Sequence, residues 1–224
     1  MKRKSLIAAG GLALAALGCG VSTPHTALTA AAAAGRIEEV RTLLAQGAEV
    51  NQKGGGCGAA LHCAARGGHI DTIRVLLQAG ANPDLGGGIN GWTPVMHAIH
   101  KNQRRAVAAL LEGGANVNAS TKTGLTALMM AAGYGQPETV KLLLARGADP
   151  HLESADGSTA LLAAVGGVAD IDRFTLGSCQ TETVKALLEA DPALQLPNNL
   201  SGAGARWLAR LGNCPEVLTM VKGL

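Results

Sequence analysis

Three observations predict an all-α solenoid of about six stacked helix–turn–helix repeats with hairpin loops. First, Gly-Ala pairs begin at 47, 80, 114 and 147, in steps of 33, 34 and 33 residues, and each follows a Leu-Leu pair (43–44, 76–77, 110–111, 143–144). A period in this range marks units that cannot bury their faces alone and stack into one core. Second, the upstream halves keep the same step: "ALHCAARGGH" (60–69), "PVMHAIHKNQ" (94–103), "ALMMAAGYGQ" (127–136) and "ALLAAV" (160–165). Third, the chain is 47% hydrophobic but only 2% aromatic. A core of Ala, Leu, Val and Ile suits thin helical layers at close range.

These motifs resemble the ankyrin repeat. That pattern runs from a Gly-containing turn through Thr-Pro-Leu-His, an Ala-rich inner helix, a Gly and an outer helix ending in Leu-Leu, to Gly-Ala-Asp/Asn. The resemblance covers about residues 26–224, and its Thr position falls at Thr26, Ala59, Thr93, Thr126, Thr159 and Ala203. The last step is 44 residues, a repeat plus an insertion of 11 placed within 166–180, between the two helices of the fifth repeat.

Taken in order, the first unit (26–51) has the spacing but no Pro or His, and is expected to be the N-terminal cap. In the second, "KGGGCGAA" (53–60) replaces Asp-Gly-x-Thr-Pro, which predicts a loose hairpin tip. In the third, Thr93 caps the inner helix and Pro94 occupies an early turn where its missing N–H is harmless. Alanines 64, 98, 131 and 164 of successive inner helices allow close approach, while the Leu-Leu pairs lie on the apolar stripe of the outer helices. The Gly of each Gly-Ala supplies a left-handed stop. The unit from 203 to 224, containing Trp207, lacks both Leu-Leu and Gly-Ala and is expected to be the C-terminal cap.

Residues 1–18 read as a signal peptide: Lys2, Arg3 and Lys4 precede an uncharged run too short to span a bilayer. It ends "ALGC" (16–19), which resembles the lipobox of bacterial lipoproteins and implies that Cys19 is lipidated, with 19–25 a short tether. Gly20, where Asp would signal inner-membrane retention, implies an outer-membrane protein facing the periplasm; a soluble periplasmic or secreted product is the alternative. Without its three leader cations the chain carries 16 Lys+Arg against 16 Asp+Glu. A neutral chain with almost no aromatics lacks both the field and the stacking platforms that bind nucleic acid.

In this register the ankyrin resemblance implies that Trp92, His97, His100, Lys101, Leu125, Met130 and Tyr134 lie on the concave face made by inner helices and hairpin tips, and they form the candidate partner-binding set. Exposed aromatics in so poor an aromatic complement suit binding hot spots; for Trp92, packing against the next hairpin is the competing expectation. Cys63, His97 and Met130 are equivalent in adjacent repeats and, with His100, form a row of soft-metal ligands. Stacked helices separate equivalent positions by about 8–10 Å, too far for ligands about 2 Å from one ion, so no metal site and no cofactor are expected. His62 matches the His of Thr-Pro-Leu-His, which implies a hydrogen bond to neighbouring backbone. Arg104 and Arg105 begin an outer helix and read as a solvated face. Four cysteines remain after Cys19 and suit an oxidising compartment; the expected bridges are Cys57–Cys63 and Cys179–Cys214, with free thiols as the alternative.

No paired carboxylates, phosphate loop or activated nucleophile is evident. The expectation is a non-catalytic, exported, lipid-anchored scaffold holding a protein partner in the groove, with the 166–180 insertion, including Asp170, Asp172, Arg173 and Phe174, as a second contact. The alternative is a metal-binding or redox-protective module on Cys63, His97, His100 and Met130.

Overall fold

The computed structural model describes residues 26–88, 90–166, 180–196 and 215–220. Five helix pairs follow one another: α1 (Ala27–Ala33) and α2 (Ile37–Ala45), α3 (Ala60–Gly67) and α4 (Ile70–Gln78), α5 (Pro94–His100) and α6 (Arg104–Glu112), α7 (Ala127–Gly133) and α8 (Pro137–Ala145), α9 (Ala160–Gly166) and α10 (Thr181–Ala190). A further helix, α11 (Pro215–Met220), packs on α10. Among the described residues, extended pairing is limited to the isolated bridges Gly87–Trp92 and Ser120–Thr126 in two hairpins.

Odd-numbered helices from α1 to α9 pack in one row and even-numbered helices from α2 to α10 in a second. The inner row is tight because its contacts are small: Ala31, Ala32, Ala64, Ala98, Ala131 and Ala164 are each fully buried. Larger side chains, among them Ile73, Leu76, Val107, Leu110, Val140 and Leu143, fill the space between the rows from the outer helices. The inner helices of the third, fourth and fifth repeats begin as expected. The hydroxyls of Thr93, Thr126 and Thr159 accept from the backbone N–H three residues on, at 3.4, 3.2 and 3.2 Å.

Leu-Leu and Gly-Ala recur together because they form one hydrogen-bonded stop. In the first pair Gly47 N–H donates to Leu44 O and Ala48 N–H to Leu43 O, both at 3.0 Å, and the same two bonds close α4, α6 and α8. This Schellman arrangement requires a left-handed residue, supplied at φ 85–92° by Gly47, Gly80, Gly114 and Gly147. Inner helices end similarly on Gly35, Gly68 and Gly135, but in the third repeat Asn102 takes that role at φ 55°.

Two ladders join successive repeats. Asn51, Asp84 and Asn118 each accept, through a side-chain oxygen, the backbone N–H of Asn82, Asn116 and Asp149 in the following repeat, at 2.8, 2.9 and 2.9 Å. His151 continues the series by pairing with Asp191 at 2.7 Å. The second ladder satisfies orphan carbonyls at inner-helix C-termini. His69 Nε2 donates to Ala33 O (3.0 Å), and the Gln136 amide donates to Ile99 O (2.7 Å).

The second hairpin differs from the expected loose tip. Gly54 N–H donates to Gly58 O at 2.9 Å, and a Cys57–Cys63 disulfide with Cα atoms 5.5 Å apart ties the tip to α3. The cross-link does what the missing Asp-Gly-x-Thr-Pro turn would have done. Cys19, Cys179 and Cys214, Trp207 and residues 170, 172, 173 and 174 lie outside the described residues.

Candidate functional site

Helix α3, the third hairpin, α5 and the end of α7 bring five rings into a continuous row. Gly87 N–H donates to Trp92 O at 2.9 Å, closing the hairpin and setting Trp92 at its exit. Thr93 then starts α5, so His97 and His100, one turn apart, both reach the indole, with centroids 5.6 and 5.2 Å from it. His100 in turn lies 5.7 Å from the Tyr134 ring at the α7 C-cap, and His100 Nδ1 shares a 2.9 Å hydrogen bond with the Tyr134 hydroxyl. At the other end His62 meets His97 edge-on at 5.4 Å. The row spans three repeats.

His62 anchors the row. Its Nδ1 accepts from Ala59 N–H at 3.2 Å, replacing the absent Thr cap, so its proton sits on Nε2 and is donated to Leu85 O at 2.6 Å. The hairpin backbone lies directly on the imidazole: a Cβ at Gly87 would come within 2.5 Å of Nε2, so a side chain there would displace one or the other. Burial, with a smaller contribution from Lys53, lowers the His62 pKa to about 4 despite the raising effect of its backbone partners.

His97 departs from expectation. It is 6% exposed, not a groove-facing contact, and its Nε2 is buried without a hydrogen-bond partner. The reason is the hairpin, which folds over α5 and places Trp92 and Gly88 against the ring. Burial, followed by the charges of His62, Arg66 and His100, pushes its pKa down to about 3, with the Gly87 carbonyl partly opposing. Met130 is likewise buried at 3% exposure and belongs to the core. Trp92, His100, Leu125 and Tyr134 are half-buried, and Lys101 is exposed at the α5 C-cap. Trp92, Leu125 and Tyr134 each present part of their surface while packing against the core on the other side. The rings that Trp92 packs against, His97 and His100, belong to its own repeat and not to the next hairpin.

The metal and redox alternative is not supported. Cys63 is bonded to Cys57, His97 and Met130 are buried, and His100 is turned toward Tyr134. Among the described residues no group of three or more His, Cys, Asp or Glu is arranged to hold an ion. Arg104 lies on the outer row, where it meets Glu138 at 3.6 Å, with both side chains more than half exposed.

Beside the ring row lies an open cavity of ≈ 540 Å³ lined by Ala33, Gly56, Cys57, Cys63, Arg66, Gly67, Lys101 and Gln103. Sequence reasoning missed Arg66, although its place in the last turn of α3 beside the conspicuous Cys63 was a usable signal. It also missed the inter-repeat ladders, whose positions 51, 84, 118 and 151 repeat with the period of the Gly-Ala pairs.

A family model described as Ankyrin repeats (3 copies) matches residues 6–86, 82–154 and 121–196. The chain belongs to the ankyrin-repeat family, whose members generally act as non-catalytic scaffolds that mediate protein binding. No curated protein matches the sequence. No described helix is long and apolar enough to cross a membrane.

Proposed function

We propose that this protein is a non-catalytic scaffold that binds a protein partner on the face made by its inner helices and hairpins, centred on Trp92, His100, Lys101, Leu125 and Tyr134. The observation that carries this reading is the half-exposed Trp92–His100–Tyr134 row held against a fully buried base. Such rings offer contact area whose rotamer freedom is already lost, which lowers the ordering cost of association. The leader-like residues 2–18 and the "ALGC" ending support export and lipidation at Cys19, with a periplasm-facing outer-membrane location. The 166–180 insertion, with Asp170, Asp172, Arg173 and Phe174, is proposed as a second contact.

Crosslinking in cells, followed by identification of captured proteins, tests the binding role. Trp92→Ala with Tyr134→Ala should abolish capture, whereas charge reversal at Arg104 and Arg105 should leave it intact; the opposite pattern would refute the placement. Labelled fatty acid should enter the wild-type chain but not Cys19→Ser, and equal labelling of both would remove the lipidation reading.

A further inference from the structure

Charge is divided between the two rows of this protein. In the hairpin and inner-helix segments 52–67, 85–101 and 119–134 the charged residues are Lys53, Arg66, Lys101 and Lys122, with no Asp or Glu. The intervening outer segments 68–84, 102–118 and 135–151 carry five acids and five cations. The neutrality of the chain after its leader therefore conceals a one-signed face.

All four cations are exposed, and none meets a carboxylate among the described residues. The ion pairs present lie on the outer row and the repeat ends, as with Arg36–Glu39, Arg74–Asp71 and Arg146–Glu112. Arg66 and Lys101 sit at inner-helix C-termini, where a cation is favoured by the helix dipole. That accounts for two positions locally, but not for Lys53 and Lys122, which stand in hairpin tips. Arg66 and Lys101, from adjacent repeats, also line the same ≈ 540 Å³ cavity, together with Cys57, Cys63 and Gln103. Beyond the fourth repeat the sign reverses, because the next hairpin carries Glu153 and Asp156.

Resting on the scaffold reading above, we infer that the face of repeats two to four recognises an extended acidic peptide segment, one of whose carboxylates enters the cavity between Arg66 and Lys101. Repeats stack about 8–10 Å apart, and an extended chain of polyproline II form rises about 3.1 Å per residue with about three residues per turn, so an acidic side chain at every third position stays on one face and keeps step with the repeats. A guanidinium beside an ammonium binds a carboxylate by charge-assisted hydrogen bonds. The spacing and the rings favour a peptide over a polynucleotide. The cations are distributed among repeats rather than along a continuous phosphate track, and Trp92 has His97 and His100 packed against it instead of standing free for base stacking.

The test is fluorescence anisotropy of the full chain with a labelled peptide of about twelve residues, enough to cross three repeats with Glu at every third position and Ser or Gly between. The same peptide with Gln or Lys for Glu, an oligothymidine of matching length and anionic lipid vesicles serve as competing probes. The Glu peptide should bind at least tenfold tighter than the Gln peptide, and rising salt should weaken it. Arg66→Glu with Lys101→Glu should remove that preference. The milder Lys53→Gln with Lys122→Gln should reduce it, and Arg104→Glu with Arg105→Glu should not change it. Unchanged thermal midpoints for the exposed variants separate lost recognition from lost folding.

Equal binding of Glu and Gln peptides, or tighter binding of oligothymidine or vesicles through Arg66 and Lys101, would overturn the inference. In the cellular experiment, capture that needs Trp92 and Tyr134 but survives reversal of Arg66 and Lys101 would remove the acidic-segment inference and leave the scaffold standing. Capture indifferent to both pairs would remove both.

Discussion

Acidification is the perturbation that the buried histidines answer most directly. His62 is 0% and His97 6% exposed, and their pKa values lie at about 4 and about 3. In the unfolded chain both titrate near ~6.5. Between those limits the unfolded state binds more protons, so the stability they contribute is complete above pH ~6.5 and is lost as the pH falls toward the folded values. At pH ~5, about 1.5 units below the unfolded value, each histidine costs about 2 kcal/mol, and the pair about 4 kcal/mol of the ~5–15 kcal/mol typical of a domain. Urea unfolding followed by far-ultraviolet circular dichroism at pH ~7.5 and ~5 measures this loss. The discriminating variant is His97→Met, which installs the side chain that Met130 provides at the equivalent place in the next repeat and removes an unpartnered buried nitrogen. It should retain or exceed wild-type stability at pH ~7.5 and reduce the acid loss by about 2 kcal/mol. A variant as acid-sensitive as the wild type would refute the assignment of that loss to His97.

Breaking the Cys57–Cys63 bridge, by reduction or as Cys57→Ser with Cys63→Ser, should cost about 2 kcal/mol, as expected for a closed loop of sequence separation 6; chemical denaturation with and without reductant checks it. Gln136→Ala strands the Ile99 carbonyl and should cost about 1–3 kcal/mol by the same measurement, more than the exposed Arg105→Ala. Asn102→Gly should be neutral or slightly stabilising, whereas Asn102→Ala should cost about 1–2 kcal/mol, because only the latter places an ordinary Cβ in a left-handed residue. Comparing the thermal midpoints of the two variants decides it.

What the sequence by itself determined was the repeat period and the helix starts and stops that local hydrogen bonds complete. Leu-Leu before Gly-Ala, Thr before an Ala-rich run, and the 33- and 34-residue steps are local signals, because a Schellman stop or an N-cap is completed within about six residues of chain. They located the helix pairs and the two packed rows. What only the tertiary structure decided was which face each α5 and α7 residue finally shows. His97 and Met130 occupy groove-side register positions, yet the hairpin backbone and Trp92 fold over His97, and the packed neighbours enclose Met130. Period fixes the direction of a side chain from its own helix, whereas exposure depends on what chain distant in sequence lies above it. The meeting of Arg66 with Lys101, 35 residues apart, at one cavity has the same origin. So does the His62–Leu85 bond, which joins one repeat's helix to the next repeat's hairpin.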